Sequence, residues 1–252
     1  MSTWSKITVW AAASCLSTLI TGSAAIAAEI TVVSTAGPMP EMMGALVPMF
    51  EQASGHKVTI KFQGAPQTMN QLKEGANIDL VIAGDDVIGE LAKSGAVGAS
   101  SKIMLSRVGV AVRAGAAKPD IGSADAFKAA LIAAKSVAYS QGASGQHFAT
   151  VIARLGLVDT LKPKTIIVQG KPVGAAVAAG EAEIGVQQVA ELLPVPGIDF
   201  VGPLPGDLQK IIIYVAAVPA KAKEPEAATA LMKFLTSDAA VPVIKQKGMA
   251  PG

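Results

Sequence analysis

A chain of 252 residues can bury a sizeable core without a covalent staple, and its one cysteine, Cys15, offers no disulfide partner. The formal net charge of +2 gives no support for nucleic acid or a membrane surface as partner. Charged residues at 16% and hydrophobics at 51% suit a compact α/β protein, while aromatics at 4% argue against a sugar-stacking site or an aromatic cage.

The first residues read as a secretory leader. Lys6 supplies a positive start, an apolar or small stretch runs from Ile7 to Ile20, and Ala25-Ile26-Ala27-Ala28 offers a cleavage site near Ala27 or Ala28. The stretch is short for a membrane span and interrupted by Ser and Thr. Ala12-Ala13-Ser14-Cys15 has too little apolar sequence before it for a lipidation signal. The expected address is the periplasm. Loss of residues 1–28 takes one Lys and no acid, so the charge falls from +2 to +1 and no thiol remains.

Beyond the leader, strand-like runs alternate with helical patterns, which points to parallel sheets covered by helices on both faces. Strands are expected at 30–34, 57–63, 80–83, 107–113, 136–139, 165–169, 184–187 and 211–218. Helices are expected at 42–54, 68–75, 87–94, 123–134, 145–156, 173–179, 225–236 and 237–247. Ser123 and Ser237 read as N-caps, and Gly55 and Gly156 as the residues that end helices. Met39, Met42, Met43 and Met49 fall at near-helical spacing and read as core. Runs 107–113 and 211–218 are where the chain would leave a first lobe and return to it. The expected lobes are 29–105 plus 218–252, and 106–217, with a two-strand hinge and a cleft between them.

Four strand ends could hold an anion. The first is Ser34-Thr35-Ala36, followed by Pro38 and Pro40 at a helix start, where free N–H groups and the helix dipole favour negative charge. The second passes from Gln63 through Gly64 and Ala65 to Thr68, a candidate helix cap. The third, Ser140 to His147, places Ser144 and the N–H groups of Gly145 and Gln146 at a helix start. The fourth is Val186-Gln187-Gln188, where two amides donate hydrogen bonds without adding charge. All four are polar and lack an obligatory cation, which suggests a site of neutral donors.

These corners, with the strand 79–85 and the ending around Phe234-Leu235-Thr236-Ser237 and Gly248-Met249-Ala250-Pro251, resemble type II periplasmic solute-binding proteins. Within them the chain is most similar to the molybdate-binding components of ABC importers. The resemblance spans the whole chain after the leader. It implies an α/β, two-lobed fold of mixed, mostly parallel sheets. It also implies a small anionic ligand such as molybdate or tungstate, and a partner permease, with the protein itself a monomer that is not an enzyme.

Carried over residue by residue, the resemblance puts Ser34 and Thr35 at the first corner and Gly64 or Ala65 at the second. Ser144 and Gly145 stand at the third, Val186 and Gln187 at the fourth, and Tyr214 on the returning strand. Gly64-Ala65 stands where the family has a serine, and Gln187-Gln188 adds bulky amides. Both departures suit an organic carboxylate at least as well, and an isomerase or lyase of organic acids on the same fold is the alternative.

His147 sits beside Ser144 without an orienting carboxylate in sequence, so it reads as a ligand contact or a plain helix residue. His56 reads as surface. No zinc ligand set is evident, Asp85-Asp86 and Glu181-Ala182-Glu183 read as solvated charges, and Gly170-Lys171-Pro172-Val173-Gly174 lacks the phosphate-loop spacing. No metal and no cofactor are expected.

Overall fold

A computed structural model of the protein describes residues 27–252. The leader, with Cys15, therefore falls almost wholly outside the described residues. Among those residues, no helix is long and apolar enough to cross a membrane.

In chain order the elements are β1 (Glu29–Thr35), α1 (Met39–Ser54), β2 (Lys57–Gln63), α2 (Ala65–Lys73), β3 (Leu80–Gly84), α3 (Asp85–Lys93) and the long β4 (Val97–Arg113). There follow α4 (Ala124–Ala133), β5 (Val137–Ser140), α5 (Ala143–Arg154), α6 (Val158–Leu161), β6 (Thr165–Val168), α7 (Val173–Ala178), β7 (Ile184–Gln188) and α8 (Val189–Leu192). The chain closes with β8 (Ile198–Pro203), β9 (Ile211–Pro219), α9 (Pro225–Leu235), α10 (Val241–Gln246) and β10 (Ala250–Pro251).

The strands run β2-β1-β3-β9-β4-β7-β5-β6, with β8 and β10 added on β4. β4 is the seam. Its first half pairs with β9 and β10, and its second half with β7 and β8, so two sheets share one strand. Pairs on the flanks (β1 with β2 and β3, β5 with β6 and β7) are parallel, and the pairs at β4 and β9 are antiparallel. The fold is α/β and two-lobed, with the lobes joined through β4 and the segment that leads from β8 into β9. β9 enters the first sheet at once, facing β4 from Ile211 onward and β3 over Tyr214–Ala217.

Local chemistry explains the helix ends. Ser123 caps α4, its hydroxyl accepting from the Ala126 N–H. Gly55 ends α1 in the left-handed region at φ 76°, where only glycine is unstrained. Two expected caps are corrected. Ser237 donates its hydroxyl to the Phe234 carbonyl at the end of α9, and α10 starts only after Ala240. Thr68 lies inside α2, where it donates back to the Gly64 carbonyl.

A continuous core crosses the seam. Ile30, Met39, Met42, Met43, Leu46, Ile82 and Met104 fill the first half, and Phe127, Val137, Phe148, Val151 and Ile184 the second. Met49, expected in that core, is 36% exposed because it lies on the outer face of α1. His56 is half-buried rather than on the surface. It stacks on Phe50 and accepts from the Ala28 N–H.

Candidate functional site

The pairing brings the four strand ends together two by two. Thr35 faces Gln63 across the parallel β1–β2 pair, so the first and second corners adjoin. Tyr139 faces Val186 across the parallel β5–β7 pair, so the third and fourth adjoin in the second sheet.

At the first corner Ser34 is buried, its hydroxyl donating to the Thr35 carbonyl at 3.0 Å. Gly64 precedes α2 in extended backbone, and no side chain caps the N–H groups that begin at Ala65. The Gln63 amide braces this corner by donating to Thr68 and Gln71. At the third corner Ser144 and Gly145 are buried in the first turn of α5. A Cβ on Gly145 would overlap the Ser140 carbonyl, so the helix start can close on β5 only with glycine there. His147 points its Nε2 at the Leu208 carbonyl, 2.8 Å away, and thereby ties α5 to the turn that precedes β9.

The fourth corner holds the densest polar network. Val186 is wholly buried in the sheet interior and offers no side chain to a ligand. The Gln187 amide accepts from the Val173 N–H at 2.8 Å and donates to Glu191 Oε1 at 2.7 Å. The Tyr214 hydroxyl lies 3.0 Å from Gln188 Nε2 and 3.1 Å from its Oε1, so it bonds either end of that amide. This contact joins β9 of the first sheet to β7 of the second.

Gly37, one turn past Thr35, packs directly against that pair. A Cβ there would stand 3.2 Å from both Gln188 Nε2 and the Tyr214 hydroxyl, and 4.0 Å from Glu191 Oε2. A cavity of about 320 Å³ opens beside this point. Gly37, Pro38 and Glu41 line one wall, and Pro172, Ala175 and Glu191 are among the residues of the other.

Burial sets the chemistry here. It pushes the Glu191 carboxyl up to about 7, against the lowering effect of bonds from Gln187 and Gln188. Burial also raises Tyr214, with a smaller push from Glu191, so it stays a neutral hydroxyl. Among the described residues no Lys, Arg or His lines the cavity, and no cluster of His, Cys, Asp and Glu is able to hold a metal.

Sequence reasoning missed Glu191, Gly37 and Ser106. Glu191 lies on a four-residue helix too short to show a period, and Gly37 gains its meaning only from what packs on it. Ser106 lies on β4 between Met104, opposite Tyr214, and Val108, opposite Gln188, and so shares their face of the sheet. Its buried hydroxyl has no partner among the described residues.

A family profile described as bacterial extracellular solute-binding protein matches residues 30–250. The chain belongs to that family. Aconitate isomerase of Pseudomonas sp is 38% identical to this solute-binding protein over 230 residues, covering 88% of this chain and 87% of its own length. The molybdate-binding protein ModA of Azotobacter vinelandii is 33% identical over 242 residues, covering 89% and 91%. Among solved structures, the periplasmic molybdate-binding protein of Azotobacter vinelandii matches with a TM-score of 0.68 over 88% of this chain and 98% of its own. At 21% identity, that likeness is one of fold.

Proposed function

We propose that this solute-binding protein takes a small organic polycarboxylate, of the aconitate kind, between its lobes. The observation that carries this is the cavity of about 320 Å³ whose wall holds the Glu191 carboxyl, backed by the amides of Gln187 and Gln188 that bond it. Pockets of roughly 300 Å³ and upward suit organic molecules, whereas a four-oxygen metal oxyanion would leave much of this space unfilled. A carboxyl that keeps its proton can donate to a ligand carboxylate, and Gln187, Gln188 and Tyr214 stand behind it as neutral donors that closure on a ligand could recruit without any cation. A donor left unpaired on closure costs about 1–3 kcal/mol, so the ligand must match their positions. Closure would work by a hinge at β4 and at the segment that enters β9.

The aconitate isomerase relative supports the choice of ligand class. Two fates for the ligand fit the site. Delivery to an ABC permease, in keeping with the family, needs only opening and closing. Isomerisation needs in addition a group that moves a proton, and Glu191 is such a group. The molybdate or tungstate reading draws its support from the ModA relative and from Ser34 and Ser144, and it is the ligand to test against.

The experiment is a thermal-shift panel on ligand-stripped protein with cis- and trans-aconitate, citrate, shorter dicarboxylates, molybdate, tungstate and sulfate. A ligand at 100 times its dissociation constant adds about 2.7 kcal/mol, a shift of several degrees in a chain of this size. Shifts with tricarboxylates and none with molybdate are expected. A shift with molybdate and tungstate alone overturns the carboxylate reading and restores the oxyanion one.

A further inference from the structure

We propose that Glu191 is the catalytic residue of an isomerisation, carrying one proton between two carbons of a bound unsaturated polycarboxylate. The inference rests on the carboxylate reading of the same cleft.

Geometry selects this residue. Glu191 Oε1 is held by the Gln187 amide, which is itself fixed by the Val173 N–H, so the carboxyl has a defined direction. Its Oε2 is left facing Gly37 and the cavity. Among the described residues, Glu41 is the only other titratable group on the cavity wall. It stands 53% exposed and 3.4 Å from Lys247 Nζ, out of the enclosed space. His147 is spent on the Leu208 carbonyl. Tyr214, raised by burial, serves as donor rather than base.

The step balances without an added reagent. Ionised Glu191 takes a proton from the methylene carbon next to the double bond, so a C–H bond breaks and an O–H bond forms. The electron pair spreads over three carbons into the adjoining carboxylates. Gln188 and Tyr214, bonded to each other beside Gly37, are the nearest neutral donors that a repacking on closure would turn toward that developing charge. The proton then returns to the far carbon of the three, the double bond has moved by one position, and Glu191 is ionised again. In aconitate the two outer carbons are equivalent in substitution, so moving the double bond returns the same skeleton in the other geometry. A carboxyl near 7 populates both proton states at neutral pH, as a group that first takes and then gives must.

The test incubates the protein with trans-aconitate in deuterated water and follows cis-aconitate and deuterium entry at the methylene by proton NMR. Wild-type protein is expected to do both. Glu191→Gln is expected to lower the rate at least 100-fold, in the range for loss of a general acid–base group, while keeping its thermal shift with aconitate. Glu191→Asp is expected to recover part of the rate. Turnover by Glu191→Gln at the wild-type rate overturns the assignment. Wild-type protein that binds aconitate but neither converts it nor exchanges its methylene protons overturns the activity and leaves the binding reading standing. Wild-type protein that shows no shift with aconitate removes both.

Discussion

On the cleft wall built from the first sheet, Glu41 projects toward solvent and toward Lys247; on the facing wall Glu191 lies among Gln187 and Gln188, with its carboxyl pushed up to about 7. One residue type thus meets two fates across a single cavity. The first side of the molecule keeps an open helix start, with Gly64 exposed and uncapped ahead of α2. The second is packed until its polar groups must satisfy one another, as Gln187 does between Val173 and Glu191. Electrostatic character follows packing more than composition here, because desolvation acts only where neighbours exclude water.

The strongest way to break this comparison is at matching glycines. Gly145→Ala would drive a methyl into the Ser140 backbone, which cannot yield as a side chain can. A loss of at least about 3 kcal/mol is expected, the upper end of overpacking costs, read as a fall in the urea midpoint. Gly64→Ala, on the open side, would place its methyl 3.7 Å from Pro66 with φ at −72°, an ordinary contact in ordinary backbone. Its effect is expected within about 0.5 kcal/mol. Equal losses at the two positions would erase the distinction between the two sides.

Next in size is the pH dependence that Glu191 imposes. Its carboxyl is raised from 4.5 to about 7 on folding, so between those values the folded protein keeps a proton that the unfolded chain releases. This contribution is fully present below about pH 4.5 and is lost as pH rises through 7. The loss is on the order of 2 kcal/mol after allowance for the solvent that reaches this group. Glu191→Gln removes the titration, so its urea midpoint relative to wild type is expected to climb from pH 5 to pH 8. A difference between the two curves that stays flat over that span would mean that the carboxyl is ionised in the fold.

Much of the fold could be read along the chain because its outer strands and long helices carry clean patterns. β2 falls where the apolar run predicts it, at Lys57–Gln63, and Ser123 caps α4 as its hydroxyl suggests. The first half of β4, by contrast, begins Val-Gly-Ala-Ser-Ser-Lys and is exposed over much of that stretch, so no hydrophobic period marks it. It is a strand because β9 pairs with it, a fact held elsewhere in the chain. β8 is likewise half-exposed, with Gly202 and Pro203 at its end. The candidate site divides in the same way. Ser34, Ser144, Gln187 and Tyr214 follow from strand ends and resemblance, but Glu191 acquires its chemistry only when Gly37, from the other lobe, packs beside it. Burial of that kind is a property of two distant segments at once.

The smallest expected effect probes the contact that joins the walls. Tyr214→Phe deletes the hydroxyl that meets the Gln188 amide and leaves the ring in place. One neutral hydrogen bond contributes about 1 kcal/mol, and its loss leaves the buried Gln188 amide short of a partner in the ligand-free fold, so a fall in the urea midpoint worth about 1 kcal/mol is expected beside a several-fold change in ligand affinity. Scattering from the ligand-free protein separates two causes. If the contact helps hold the lobes together, Tyr214→Phe shows a larger radius of gyration before ligand is added and the same radius after. If the radius is unchanged in both states, the hydroxyl acts on the ligand alone, and the two walls are held by Gly37 and the packing around β4 rather than by this polar bridge.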